Sequence, residues 1–185
     1  MNAFGKLGSP APDFDHPLDM LAACHGRIRA QCETLKRLVA HLPQHGADAQ
    51  AQQAAGAVLR YFDTAGVNHH ADEEYDLFPR LLAAVDRGAV PAGCGIDLRV
   101  MLTGLGADHR RMDDAWKALR AVLVRTAAAE AVALDAATVE AFCALYDAHM
   151  DTEERHVLPF AAQVLDTAEL AEIGRAMSRR RGVKT

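Results

Sequence analysis

A histidine followed four positions later by a glutamate occurs twice in this chain, as His69 with Glu73 and as His149 with Glu153. The similarity between the two copies extends to the prolines that follow them, Pro79 and Pro159. Residues four apart on a helix share one face, so each pair directs an imidazole and a carboxylate the same way. These groups together suit iron, manganese or zinc. The repeat therefore predicts two halves of one metal site.

One further histidine precedes each copy at nearly the same spacing. The candidate ligands are His25, His69, Glu73, His109, His149 and Glu153. His25 and His69 would terminate one metal ion. His109 and His149 would terminate a second, and the two glutamates would span both. Each metal would then have four protein ligands and room for a solvent bridge and an external ligand, so the set predicts a dinuclear site.

The elements that must position these ligands are helices. Half of the residues are apolar, aromatic residues are few, and no segment alternates apolar and polar residues as a half-buried strand does. Proline and glycine positions predict helices from about Pro17 to Pro43–Gly46, over about 48–84, 97–125 and 134–164, and from Asp166 to about Arg180. Pro79 should kink the last turns of the second helix. Glu169 fits a capping box at the start of the fifth.

Short connections between long helices favour an all-α fold, an antiparallel up-down-up-down four-helix bundle with a short C-terminal fifth helix. The expected organisation is an irregular arm over 1–15, the bundle over 16–165, and the last helix with a basic tail over 166–185. At about 1.5 Å of rise per residue, the candidate ligands fall at one level of such a bundle to within a turn or two. The six side chains can therefore meet.

The composition and charge of the chain exclude some classes of function. The net charge of −5 argues against nucleic-acid binding, and the basic run at 179–181 is most simply a solvated helix end. No segment has the length and apolarity of a membrane span or the order of a signal peptide, which predicts a soluble, cytoplasmic protein. The four cysteines, Cys24, Cys32, Cys94 and Cys143, form no C-x-x-C pair and are expected to be reduced and buried.

Several neighbours of the candidate ligands need separate interpretation. His70 and Glu74 form a competing pair on the adjacent face, but Met150 stands where the second half would repeat His70. His156 lies seven residues, about two turns, after His149, where a buried contact with Asp76 is expected and a role beside the metals is the alternative. Trp116 is expected to help close the core above the site.

At these residues the chain resembles hemerythrin-like proteins of the His-His-Glu cation-binding family, over roughly residues 14–165. The resemblance implies a four-helix bundle that holds two non-haem iron ions with an oxo or hydroxo bridge. Oxygen-carrying hemerythrins place a fifth histidine where this chain has Leu105, and they use a different second motif. The four-His, two-Glu set is closer to bacterial proteins implicated in repair of iron centres after nitrosative or oxidative stress.

Two classes of function fit this resemblance. In the first, the iron centre reacts with oxygen, peroxide or nitric oxide, in iron-centre repair or a stress response. In the second, the protein is an iron- or oxygen-sensing or metal-binding module without turnover. Reversible oxygen binding is a further alternative that the absent fifth histidine disfavours. Manganese or zinc could replace iron, the expected partner is a small ligand, and a homodimer is compatible with the sequence.

Overall fold

The structure is a computed structural model that describes residues 13–89 and 97–183. Within these two ranges all regular secondary structure is helical, in five helices, and there is no strand. The helices are α1 (Pro17–His45), α2 (residues 49–86), α3 (Leu98–Ala127), α4 (residues 136–164) and α5 (Thr167–Arg180). The predicted helix order is therefore confirmed. Residues 1–12 of the expected arm, and Cys94, lie outside the described residues.

The helix ends follow from local chemistry. Helix α1 continues through Pro43 and stops at Gly46, whose φ of +64° is a left-handed conformation that glycine adopts without a steric penalty. The side chain of Asp166 accepts the backbone N–H of Glu169, and the Glu169 carboxylate accepts the backbone N–H of Asp166. This is the predicted capping box, and it starts α5 at Thr167.

Helices α2 and α4 each contain a widened, π-helical turn that begins at the glutamate of the repeated motif. Helix α2 joins Ala49–Arg60, a first wide turn Tyr61–Gly66, Val67–Asp72, a second wide turn Glu73–Leu77, and Phe78–Asp86. Helix α4 joins Ala136–Thr152, the wide turn Glu153–Val157, and Leu158–Val164.

Proline explains the turns at the two motifs. Pro79 and Pro159 have no N–H to donate four residues back, and the residue before each proline bonds five residues back, to the carbonyl of Glu73 or Glu153. The helix thus accommodates Pro79 with a π-turn, a feature that is frequent at functional sites. The turn at Tyr61–Gly66 was not predicted.

The helices contact one another in a ring. Helix α1 packs against α2 and α4, and α3 packs against the same two helices. Helix α5 lies against α1 and α2. None of the helices in the described ranges combines the length and the apolarity that crossing a lipid bilayer requires.

Two apolar clusters lie on either side of the predicted ligands along the helices. One cluster is centred on Ile28, Leu35, Val58, Phe62, Met112, Phe142 and Met150. The other contains Leu21, Leu77, Leu81, Leu102, Leu105, Val157 and Phe160. The six predicted ligands, which we call the polar layer, are therefore enclosed by apolar packing both above and below.

Trp116 belongs to the first cluster, as predicted. Its ring lies 4.9 Å from that of Phe62 and 6.0 Å from that of Phe142, and its Nε1 donates to Asp63 at 3.0 Å. Cys24, Cys32 and Cys143 are buried, which also agrees with the sequence analysis.

The basic end of α5 is docked rather than solvated, so that expectation was wrong. Asp72 is fully buried; its Oδ2 accepts from Arg181 Nη2 at 2.6 Å, and Oδ1 accepts from Arg180. Arg180 Nη2 also donates to Asp76 at 2.7 Å, and this bond replaces the expected contact between Asp76 and His156. His156 is half-buried. A buried carboxylate needs a cationic partner, and α5 supplies two.

Candidate metal centre

The six predicted ligands converge in one buried layer. Helices α1 and α3 contribute one histidine each, and α2 and α4 each contribute a histidine and a glutamate. All six side chains are 2% exposed or less. They form two overlapping groups of possible donors, His25, His69, Glu73 and Glu153, and Glu73, His109, His149 and Glu153, with the donor atoms of each group within 4.8 Å of one another. The two groups share both glutamates.

The carboxylate of Glu73 faces both groups. Its Oε1 lies 3.3 Å from Nε2 of His69, and its Oε2 lies 3.3 Å from Nε2 of His109. The two oxygens of one carboxylate therefore point toward histidines of different groups, as a bridging carboxylate requires.

Glu153 repeats this arrangement from the opposite half of the chain. Its Oε2 lies 3.2 Å from Nε2 of His25, and its Oε1 lies 3.3 Å from Nε2 of His149. His149 Nε2 is also 3.1 Å from Nε2 of His109. The layer thus has an approximate twofold pattern, in which each carboxylate reaches one histidine of each group.

Most of these donor atoms have no hydrogen-bond partner among the described residues. The unpartnered buried atoms in the layer are His25 Nε2, both ring nitrogens of His69, Glu73 Oε2, His149 Nδ1 and both carboxylate oxygens of Glu153. Buried polar atoms are normally satisfied, and each unsatisfied one costs about 1–3 kcal/mol. Such a concentration of imidazole and carboxylate donors fits a site for metal ions.

The electrostatics of the layer also favour a site for metal ions. Burial lowers the pKa of His69 well below its usual value, so its imidazole is held neutral, which is the form that binds metals. Burial also raises the pKa of Glu73, and the neighbouring Glu153 carboxylate raises it further. Two ionised carboxylates in one dry site repel each other, and a divalent cation between them offsets that cost.

A family model described as "Hemerythrin HHE cation binding domain" matches residues 16–161. The chain belongs to this hemerythrin family. The matched range includes every residue of the polar layer. An uncharacterized protein from Haemophilus influenzae is 29% identical over 171 residues, which cover 92% of this chain and 93% of that protein. The hemerythrin domain thus accounts for most of the chain, and its buried His/Glu clusters could bind a metal.

This hemerythrin domain also contains two carboxylates whose role the sequence analysis missed. Glu74 Oε1 lies 2.8 Å from Nδ1 of His109, and Glu154 Oε1 lies 2.9 Å from Nδ1 of His25. A carboxylate can only accept here, so each imidazole donates its Nδ1–H outward and turns the lone pair of Nε2 toward the layer. Carboxylates behind ligand histidines orient the ring and increase its basicity.

A signal for these outer carboxylates was present in the sequence. The doublet Glu73-Glu74 recurs in the second half of the chain as Glu153-Glu154. From the sequence, Glu74 was predicted only as a competing ligand. Its actual partner is on another helix, and sequence spacing alone did not indicate that pairing.

His70 does not join either donor group. Its ring stacks on that of His109 with 4.1 Å between centroids, and Tyr146 Oη lies 3.4 Å from His70 Nε2. Burial lowers the pKa of His70 to about 3, so the ring is neutral. Met150, at the corresponding position of the second half, is fully buried in the first apolar cluster. The two halves of the hemerythrin domain therefore differ around a symmetric donor set.

Proposed function

We propose that this hemerythrin-family protein holds two iron ions in the buried layer. His25 and His69 would bind one ion, and His109 and His149 the other. The observation that carries the proposal is the position of Glu73, whose two oxygens each lie 3.3 Å from a histidine of a different group. An oxo or hydroxo bridge would complete the pair. Manganese and zinc accept the same donors, and iron is preferred on the resemblance described above.

The proposed reaction partners are small: oxygen, peroxide or nitric oxide. Iron bound by histidine and carboxylate supplies one-electron redox chemistry toward such molecules. The protein's own groups hold the imidazole of His69 neutral, exclude bulk water with the two apolar clusters, and provide four donors to each ion. Closed structural sites normally fill their shells with protein ligands, whereas this set leaves positions open. These features support a reactive centre in iron-centre repair or a stress response.

The bundle arrangement and the cellular setting are further parts of the proposal. The ring of contacts among α1, α2, α3 and α4 supports an antiparallel up-down-up-down four-helix bundle. A cytoplasmic location, and a small ligand in place of a nucleic acid, rest on the composition and charge of the chain.

Sensing is a second candidate, and one contact favours it. Asp72, which anchors α5 through Arg180 and Arg181, directly precedes the shared ligand Glu73. A change of metal occupancy at Glu73 would therefore act on the residue that holds α5. Amide hydrogen exchange in α5 with and without metal tests this; exchange that does not depend on metal would exclude such a signal.

Metal content tests the main proposal. We expect about two iron ions per chain, without haem, after expression in iron-rich medium. The Glu73→Ala variant should lose both ions, because it removes a donor from each group. The His25→Ala variant should lose mainly one. One zinc ion per chain, or no transition metal, would contradict the dinuclear assignment. Equal single-ion losses in the two variants would contradict the bridging role of Glu73.

Reactivity with oxygen separates a reactive centre from an oxygen carrier. Leu105 is 2% exposed in the apolar cluster beneath the layer and offers no ligand where carriers have the fifth histidine. We expect the reduced protein to bind nitric oxide and to be oxidised irreversibly by oxygen in stopped-flow absorbance experiments. Oxygen that is released again under vacuum would identify a carrier, and Leu105→His should move the protein in that direction.

A further inference from the structure

The two outer carboxylates are covered differently. Glu154 is held by Arg29, whose Nη1 and Nη2 donate to it at 2.8 and 3.2 Å. Within the described ranges, Glu74 has no ion pair with an arginine or lysine, and its contact is with His109. The carboxylate on the His25 side of the layer is therefore paired with an arginine, whereas the carboxylate on the His109 side is not.

A pocket of about 210 Å³ opens on that uncovered side. Its lining residues are Val67, His70, Ala71, Glu74, Tyr75, His109 and Asp113. His109 connects it to the donor layer, because Nδ1 of this ring bonds Glu74 in the pocket while Nε2 lies 3.3 Å from the unpartnered Oε2 of Glu73. One imidazole ring thus separates solvent in the pocket from the shared carboxylate.

The charge of the pocket is negative. Glu74 and Asp113 contribute carboxylates, and no lysine or arginine lines the pocket. The next acid along α3 is different, because Asp114 accepts from Lys117 Nζ at 2.8 Å. Among the described residues, the ion-pair contact of Asp113 is with His70, whose Nδ1 lies 3.8 Å from Asp113 Oδ1. A cleft with charges of one sign and partly apolar walls, here Val67 among them, concentrates ions of the opposite sign.

We propose that this pocket is the route by which the divalent metal ion reaches the buried layer, with Asp113 and Glu74 attracting the cation. This inference rests on the proposed function, since it requires that the layer binds metal. It makes the two halves unequal: ions arrive on the His109 side, and on the opposite side the positive charge of Arg29 disfavours the approach of a cation.

The test is the rate of metal uptake by the metal-free full-length chain. Ferrous ion is mixed anaerobically with the protein, and binding is followed by stopped-flow tryptophan fluorescence, because Trp116 packs near the site. Asp113→Asn should slow uptake about three- to tenfold at low ionic strength, and the difference should shrink at high salt. Final metal content should be unchanged, because Asp113 belongs to neither donor group.

Asp114→Asn is the matched control, with the same change of charge one residue further on. We expect a smaller effect, because Asp113 lines the pocket and Asp114 does not. Equal slowing by the two variants, or no slowing by Asp113→Asn, would overturn the inference. Faster uptake by Arg29→Ala with unchanged uptake by Asp113→Asn would place the route on the opposite side. A wild-type protein that binds no metal at equilibrium would instead refute the proposed function.

Discussion

Replacement of Glu154 by glutamine tests whether the outer carboxylates tune the metal centre. The substitution keeps the shape of the side chain and an oxygen that can accept the Nδ1–H of His25, now 2.9 Å away. It removes the negative charge behind the imidazole. His25 should become a weaker donor, and the metal ion that we propose it shares with His69 should be bound less tightly.

The size of the effect follows from the surroundings of each carboxylate. Loss of such a partner typically costs about 10- to 100-fold in metal affinity. Arg29 already offsets part of the charge of Glu154, whose side chain is 37% exposed, so we expect about tenfold, or about 1.4 kcal/mol. Glu74 has no arginine or lysine partner in the described ranges, and Glu74→Gln should cost more, toward about 100-fold.

Titration of each variant with ferrous or zinc ion against a competing chelator gives the two affinities. Glu140→Gln, an exposed glutamate on the same helix as Glu154, is the matched control and should bind like the wild type. Unchanged affinity in both Glu74→Gln and Glu154→Gln would refute the orienting role. Loss of both ions in Glu154→Gln would show that it acts through the shared carboxylates instead.

Three further predictions concern stability. Asp72→Asn removes the buried charge partner of Arg181 and one of the two partners of Arg180, and it should destabilise the protein by about 3 kcal/mol, or about 6–12 °C in Tm. Arg179→Ala, on the exposed face of α5, should be near neutral in the same thermal melt. Gly174→Ala should destabilise the protein by about 1–3 kcal/mol in urea unfolding, because its new Cβ would overlap the carbonyl oxygen of Phe14. Gly104→Ala, with open space around it, should stabilise the protein by about 0.5–1 kcal/mol in the same assay. The opposite order of stabilities would contradict the packing of α5. Chelation should lower Tm by about 5–10 °C from its value at a free metal concentration of about 100 times Kd, and an unchanged Tm would argue that metal does not bind the folded state.

The sequence by itself determined where the helices begin and end and which residues share a helix face. Prolines, glycines and capping residues act on their own segment, so the helices and the capping box at Asp166 could be predicted and are confirmed. The four-residue spacing of His69 and Glu73 places both on one helix face whatever the rest of the chain does. Because the motif is duplicated, the complete set of candidate donors could be named before their positions were known.

The tertiary structure decided which residues on different helices meet. The hydrogen bonds of Glu74 to His109 and of Glu154 to His25 join positions 35 and 129 residues apart, and no local pattern encodes the partner. The docking of Arg181 on Asp72 likewise spans 109 residues. From sequence alone, a charged side chain is expected to face solvent, because its buried counter-charge is visible only in the packed structure. The prediction for the basic end of α5 was wrong for this reason.

The difference in solvent access between the two halves of the site was likewise decided by the tertiary structure. The repeat is symmetric in its candidate ligands, and the replacement of His70 by Met150 is a visible difference directly beside them. Whether that difference opens a pocket depends on how α2 and α3 pack and on where Arg29 finds its carboxylate. Spacing along the chain thus determined the donor set, whereas helix packing determined which side of it faces solvent, because access depends on neighbours that are distant in sequence.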